Sequence, residues 1–188
     1  PALEGKKIVL YLGRIVARKG VGLLVHAFSR VAQAMKEAYL VIAGPDDEGY
    51  GGTLKRFMDQ SGIAGRVAFT GYVSGREKLR LLSDADVFCL PSYHENFGMA
   101  LVEALAARLP VVVSDQVNLH SEIEAAQAGL VVPCGAEELA SSLLRLLKDE
   151  GLRNTMGKNA QRLAREKYGW DNAADAVIKL YESLVHGY

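Results

Sequence analysis

Short apolar, β-branched runs alternate along the chain with longer stretches in which apolar residues recur every three or four positions. The runs predict strands at residues 8–12, 39–43, 67–70, 87–90, 111–113 and 130–132. The stretches between them predict helices at 21–35, 54–60, 76–83, 99–107 and 121–126, the first with Leu24, Phe28, Val31 and Met35 on one face. Strands that are apolar throughout, each followed by a helix, belong in a parallel sheet covered on both sides. From residue 136 onward only helical spacing remains, through Leu139, Leu143, Leu146 and Leu147, then 156–167, then 173–185. The pattern therefore predicts a doubly wound, Rossmann-like α/β domain of about six strands with a helical tail at about 170–188. No repeat, low-complexity tract or linker divides residues 1–188.

That topology restricts where chemistry can sit. Open α/β sheets bind ligands beyond the carboxyl ends of their strands, so the informative loops follow Leu12, Ala43, Thr70, Leu90 and Val113. The first of them reads Gly13-Arg14-Ile15-Val16-Ala17-Arg18-Lys19-Gly20, three cations between glycines just ahead of a predicted helix. Arginine can donate a bidentate pair to phosphate oxygens, lysine supplies a compact charge, and a helix start offers free N–H groups. The loop is neither a G-x-G-x-x-G fingerprint nor a P-loop, so dinucleotide dehydrogenases and P-loop NTPases lose support. A solvated basic loop is the plain alternative.

The fourth strand runs into Pro91-Ser92-Tyr93-His94-Glu95-Asn96-Phe97-Gly98, and the following helix carries Glu103 before Arg108-Leu109-Pro110. Glu95 and Glu103 flank a helix start at Phe97, Gly98 and Met99 whose free N–H groups suit a phosphate. From these positions Glu103 could accept the hydroxyls of a ribose, and Glu95 those of a sugar carried on the same phosphates. The plain alternative makes Glu103 a complement to the helix dipole and Glu95 a solvated acid.

Composition narrows the partners. With 22 basic and 22 acidic side chains the formal net charge is zero, which gives no electrostatic reason to expect nucleic acid or anionic lipid. The longest apolar runs are far below the roughly 20 residues that span a bilayer. The start has neither an initiator Met nor a signal-peptide core, and is expected to be the interior of a longer chain. Cys89 and Cys134 form neither a disulfide framework nor a C-x-x-C pair, which predicts two inert thiols in a reducing compartment. His26 and His186 lack companions at metal spacing, and His94 and His120, although in strand-end loops, lack a nucleophile partner. Tyr93 and Phe97 are expected to pack their loop rather than to stack on a base.

The letters around the two glutamates say more. Glu-x-Phe-Gly-x-x-x-x-Glu-Ala followed by Leu-Pro-Val-Val-Val-Ser-Asp resembles the E-x7-E region of family 4 retaining glycosyltransferases, enzymes of two facing α/β domains with the GT-B fold. Gly13-Arg14 with Lys19-Gly20 resembles that family's diphosphate loop, and Val41-Ile42-Ala43-Gly44 its next strand. The segment 67–73, ending in Tyr72 and Val73, resembles the stretch whose backbone borders the nucleotide base, and 129–133 with Tyr168-Gly169-Trp170 resemble later landmarks. Two departures stand out. Arg108 occupies a position where Gly is usual and is expected to favour the helix dipole harmlessly, while Val117-Asn118-Leu119-His120 replaces a Gly-rich turn.

The resemblance implies one half of a GT-B enzyme: a single domain over 1–188 that binds a nucleotide diphosphate sugar, its acceptor-binding N-terminal domain absent. It implies Gly13, Arg14, Lys19, Tyr72, Val73, Glu95, Asn96, Phe97, Gly98, Met99 and Glu103 as the donor-binding set, with Arg14, Lys19 and Glu95 catalytic. Arg14 and Lys19 would neutralise the departing diphosphate, Glu95 would orient the sugar and Glu103 the ribose. No metal or other cofactor is implied, since neither D-x-D nor a His/Asp cluster is present. The base remains open among UDP, GDP and ADP. The acceptor, a glycan, lipid or small molecule, would belong to the other half. A cytoplasmic location follows, with peripheral attachment to the inner membrane face left open. Two other readings compete: a sugar-nucleotide epimerase on the same fold, and a non-catalytic nucleotide-binding module.

Overall fold

The computed structural model describes residues 5–186, apart from the side chains of Asp171, Ala173, Ala176 and His186. The expectation for the His186 ring therefore lies outside the described residues, as do residues 187–188 of the tail. Six strands, β1 (Lys7–Leu12), β2 (Ala38–Ala43), β3 (Val67–Gly71), β4 (Val87–Leu90), β5 (Val111–Ser114) and β6 (Gly129–Val132), form one parallel sheet in the order β3-β2-β1-β4-β5-β6. Every residue of β2, β4 and β5 is buried, as are all of β1 but Lys7, which is why these strands read as unbroken apolar runs. The edge strand β3 is buried only at Val67 and ends exposed.

Eight α-helices complete the described chain: α1 (Val21–Ala34), α2 (Tyr50–Gln60), α3 (Gly75–Asp84), α4 (Met99–Ala106), α5 (His120–Ala125), α6 (Ala136–Lys148), α7 (Glu150–Tyr168) and α8 (Trp170–His186). Leu24, Phe28 and Val31 of α1 lie in the core as their spacing predicts, and α1 packs on α6 while α4 packs on α7. Three helices begin three or more residues earlier than expected. The Asp46 carboxylate accepts the Gly51 N–H at 3.1 Å, which starts α2 ahead of its apolar face despite two glycines. Asp149 caps α7 by accepting the Leu152 N–H at 2.8 Å, and α8 starts at Trp170, with only Gly169 between it and α7.

At the amino ends of the strands a buried arginine joins elements that the pattern treats separately. Arg153 donates to the Leu146 and Leu147 carbonyls at 2.7 Å each, closing the end of α6, and pairs with Asp86 at 3.5 Å. Asp86 in turn accepts the Ile8 N–H at 2.8 Å. This end of the sheet is tied together by these bonds, opposite the loops at the carboxyl ends of the strands.

Arg108 has a reason for its position that differs from the expected one. It follows α4 with φ of 65°, the left-handed region that favours glycine. A glycine would take this backbone geometry freely, and the arginine carries a mild strain there that the expectation of a harmless position left out.

Candidate active site

The strand-end loops are joined main chain to main chain. Gly13 N–H donates to Ala43, Ile15 N–H to Pro45 and Gly44 N–H to Gly71, at 2.9, 2.8 and 2.8 Å, which fixes the β1, β2 and β3 loops together. Tyr93 N–H donates to the Arg18 carbonyl at 3.0 Å, and Ser92 Oγ to that of Lys19 at 3.4 Å, which brings the β1 and β4 loops together. Two glycines make these approaches possible. A Cβ on Gly20, at φ of 70°, would lie 1.8 Å from the Pro91 oxygen, and one on Gly44, at φ of 151°, would lie 1.9 Å from the Gly13 oxygen.

The loop that departed from its expected glycines has a clear role. Glu95 forms a parallel bridge with Val117, donating its N–H to Gln116 at 3.2 Å and accepting that of Asn118 at 2.9 Å. The segment after β5 thus holds the Glu95 backbone. His120 bonds within its own turn, Nδ1 to the Val117 carbonyl at 2.9 Å and Nε2 to Ser121 Oγ at 3.1 Å. His94 is exposed, and His26 lies against Phe57 with ring centroids 3.9 Å apart. Cys89 and Cys134 are free thiols, that of Cys89 pushed up strongly by burial.

Two adjoining cavities open over these loops. One, of about 210 Å³, is lined by Gly13, Arg14, Lys19, Glu95, Gly98 and Met99. The other, of about 310 Å³, is lined on its far side by Tyr72, Val73, Lys78 and Glu103. Gly13, Arg14 and Ala100 border both, so the two form one cleft with the start of α4 at its middle. The first N–H groups of a helix have no carbonyl one turn back, and those of Met99 and Ala100 stand here. Tyr72 is 74% exposed beside the second cavity. Nine of the eleven expected binding residues line the cleft; Asn96 and Phe97 do not. Phe97 instead meets Tyr168 edge-on at 5.7 Å, in the packing role expected of it, while Tyr93 is half exposed.

Electrostatically the cleft differs from a bare cluster of cations. Lys19 is ion-paired with Glu95, their side chains 18% and 12% exposed, and Lys78 pairs with Glu103 at 2.6 Å. Arg14 pairs with no carboxylate among the described residues. Its carbonyl accepts the hydroxyl of Tyr11 at 2.8 Å, a fully buried side chain whose pKa is pushed up first by burial and then by Glu95. Tyr11 therefore stays a protonated donor beneath the loop. Neither Tyr11 nor Lys78 is among the expected residues. The signal for Tyr11 is a lone hydroxyl in an aliphatic strand, and for Lys78 a cation one turn into the helix after Tyr72-Val73.

Such a cleft, with a helix start and an arginine outside any ion pair among the described residues set between two lysine–carboxylate pairs, defines a class: an α/β domain whose strand-end cleft suits an anionic group. The comparisons make the class specific. Residues 1–163 match the family described as Glycosyl transferases group 1, and the chain belongs to it. It is 35% identical over 181 residues to an uncharacterized glycosyltransferase of Methanocaldococcus jannaschii, covering 95% of this chain and 45% of that protein. Among solved structures it resembles sucrose-phosphate synthase from Thermosynechococcus elongatus at 28% identity and a TM-score of 0.87, over 100% of this chain and 47% of that one. In fold alone, at 23% identity and a TM-score of 0.79, it matches the C-terminal domain of a group 1 glycosyl transferase from Francisella tularensis over 88% of each chain. The chain spans about half the length of the curated relatives it matches. No helix among the described residues is long and apolar enough to cross a membrane.

Proposed function

We propose that the chain binds the donor of a retaining glycosyltransferase, a nucleotide diphosphate sugar, and forms the C-terminal half of an enzyme that passes the sugar to a hydroxyl acceptor. The observation that carries this reading is the single cleft in which Arg14, Lys19 and the start of α4 lie between two carboxylates. The diphosphate would lie at Arg14 and the Met99 and Ala100 N–H groups. The ribose and base would occupy the cavity of Glu103, Tyr72 and Val73, and the sugar that of Glu95.

In this reading Arg14, Lys19 and the helix start stabilise charge as it accumulates on the departing diphosphate, an effect worth several kcal/mol in a water-poor cleft. These groups act electrostatically and move no proton, and the side-chain cations meet the charge without a metal. Attack comes from the face the leaving group vacates, which retains the configuration. Glu95 holds the sugar hydroxyls while this happens. The acceptor binds a second, N-terminal domain, and excluding water and aligning the two reactants requires both. The 188-residue chain alone is thus expected to bind donor and transfer nothing.

Calorimetric titration of the chain with UDP, GDP and ADP tests the binding half of the proposal. One of them should bind, and Arg14→Ala should weaken it by about 1 to 3 kcal/mol, the range for a charged hydrogen bond. No binding by any of the three, or an Arg14→Ala variant with unchanged affinity, would remove the basis for the reading.

A further inference from the structure

We infer that Lys78 is the cationic half of a ribose-recognition pair, acting with Glu103 on the nucleoside end of the donor. The inference rests on the donor-binding reading above and deepens it at a residue that neither the motifs nor the diphosphate loop include. Lys78 stands on α3, and its ammonium donates to Glu103 Oε1 on α4 at 2.6 Å, the two side chains 32% and 34% exposed. Both line the 310 Å³ cavity together with Tyr72 and Val73. Lys19 and Glu95 serve the other cavity, so Lys78 is, among the described residues, the lysine lining the nucleoside side.

The chemistry of a diol favours such a pair. Each ribose hydroxyl is both donor and acceptor, whereas a carboxylate only accepts and an ammonium only donates. Glu103 alone can take the hydroxyl protons but leaves the hydroxyl oxygens unmet. Lys78 spends one of its three protons on Glu103 and keeps two for those oxygens. The hydroxyls are then bonded in both senses, and a nucleotide lacking one leaves a carboxylate and an ammonium short of a partner. Lys78 lines the nucleoside cavity and not the one that Lys19 lines, which sets it apart from the sugar end of the diphosphate. Its loss should act on the ribose and spare the phosphates.

The test compares three probes on the 188-residue chain: the ribonucleoside diphosphate that binds best, its 2′-deoxy counterpart, and inorganic pyrophosphate. The wild type should prefer the ribonucleotide by about tenfold or more, the size of one charged hydrogen bond. Lys78→Met should reduce that preference to less than about threefold while pyrophosphate affinity stays within about twofold. Lys78→Gln, which keeps a donor, should fall between, and serves in place of the methionine variant if that one does not fold. A wild type without ribose preference, variants that keep it in full, or a matching loss of pyrophosphate affinity would each overturn the inference. If no nucleoside diphosphate binds the wild type at all, it is the donor-binding reading that fails.

Discussion

Glu95→Gln should tighten the binding of a nucleoside diphosphate, although Glu95 belongs to the proposed binding site. In the resting cleft Glu95 is ion-paired with Lys19, and both are largely buried. An incoming diphosphate must share or displace that lysine and also approach a carboxylate. With the phosphate taken about 6 Å away, one unit of repulsion is worth ~0.7 kcal/mol in water and ~2.8 kcal/mol at an effective dielectric of 20. Burial places the site between these limits, so a gain of about 1 to 2 kcal/mol, or roughly 5- to 30-fold, is expected. Glutamine keeps the shape, and the loop itself is held by the main-chain bonds of Glu95 to residues 116 and 118, which the substitution leaves intact. Calorimetry on wild type, Glu95→Gln, Lys19→Met and the double variant gives a full cycle. The gain should be smaller in the Lys19→Met background, where no cation is released. Unchanged or weaker binding by a folded Glu95→Gln chain would refute the argument that the pair competes with ligand.

Three further outcomes follow from other parts of the structure. Arg108→Gly should raise stability by about 0.5 to 1 kcal/mol, since a left-handed L-residue costs about 1–2 kcal/mol and glycine's added chain entropy returns part of it; thermal denaturation should show a rise of a few degrees, and a fall would contradict the strain. Gly20→Ala should cost more than about 2 kcal/mol, because its Cβ meets main chain rather than a movable side chain, and should abolish nucleotide binding with it; a stable variant that binds normally would show that the two loops can part. Tyr168 donates to Glu122, and this bond is the main cause of that carboxyl titrating below its ordinary 4.5. The stabilisation is complete at neutral pH and fades as pH falls below about 4.5, so Tyr168→Phe should lower the urea midpoint at pH 7 and the gap from wild type should narrow progressively in acid; a gap that stays constant below pH 4.5 would place the effect elsewhere.

The sheet was legible because its central strands are buried on both faces and so carry an undiluted apolar signal. Helix starts were less so: α2 begins with a carboxylate reaching a glycine N–H five residues on, which no apolar spacing records. At the site, position along the chain located the loops, since the doubly wound topology sends them all to one end of the sheet. It did not reveal who pairs with whom. Lys19 and Glu95 are 76 residues apart, and Lys78 and Glu103 are 25 apart on different helices. Both pairs arise from three-dimensional packing, and each alters the expected chemistry, by competition with ligand at Lys19 and by an added hydrogen-bond donor at Lys78. Tyr11 escaped for a related reason: one residue in an apolar strand carries its hydroxyl to the underside of the arginine loop.

The clasp between Glu95 and the segment after β5 has a consequence for redesign. It is made of N–H and C=O groups alone, anchored by the fully buried Val117, while the Gln116 and Asn118 side chains on either side are exposed. These two positions can therefore change their chemistry without disturbing the geometry they support. A library randomised at 116 and 118 would sample new surroundings for the sugar of the proposed donor while the frame stays constant, which makes this turn a natural place to seek altered donor selectivity by directed evolution.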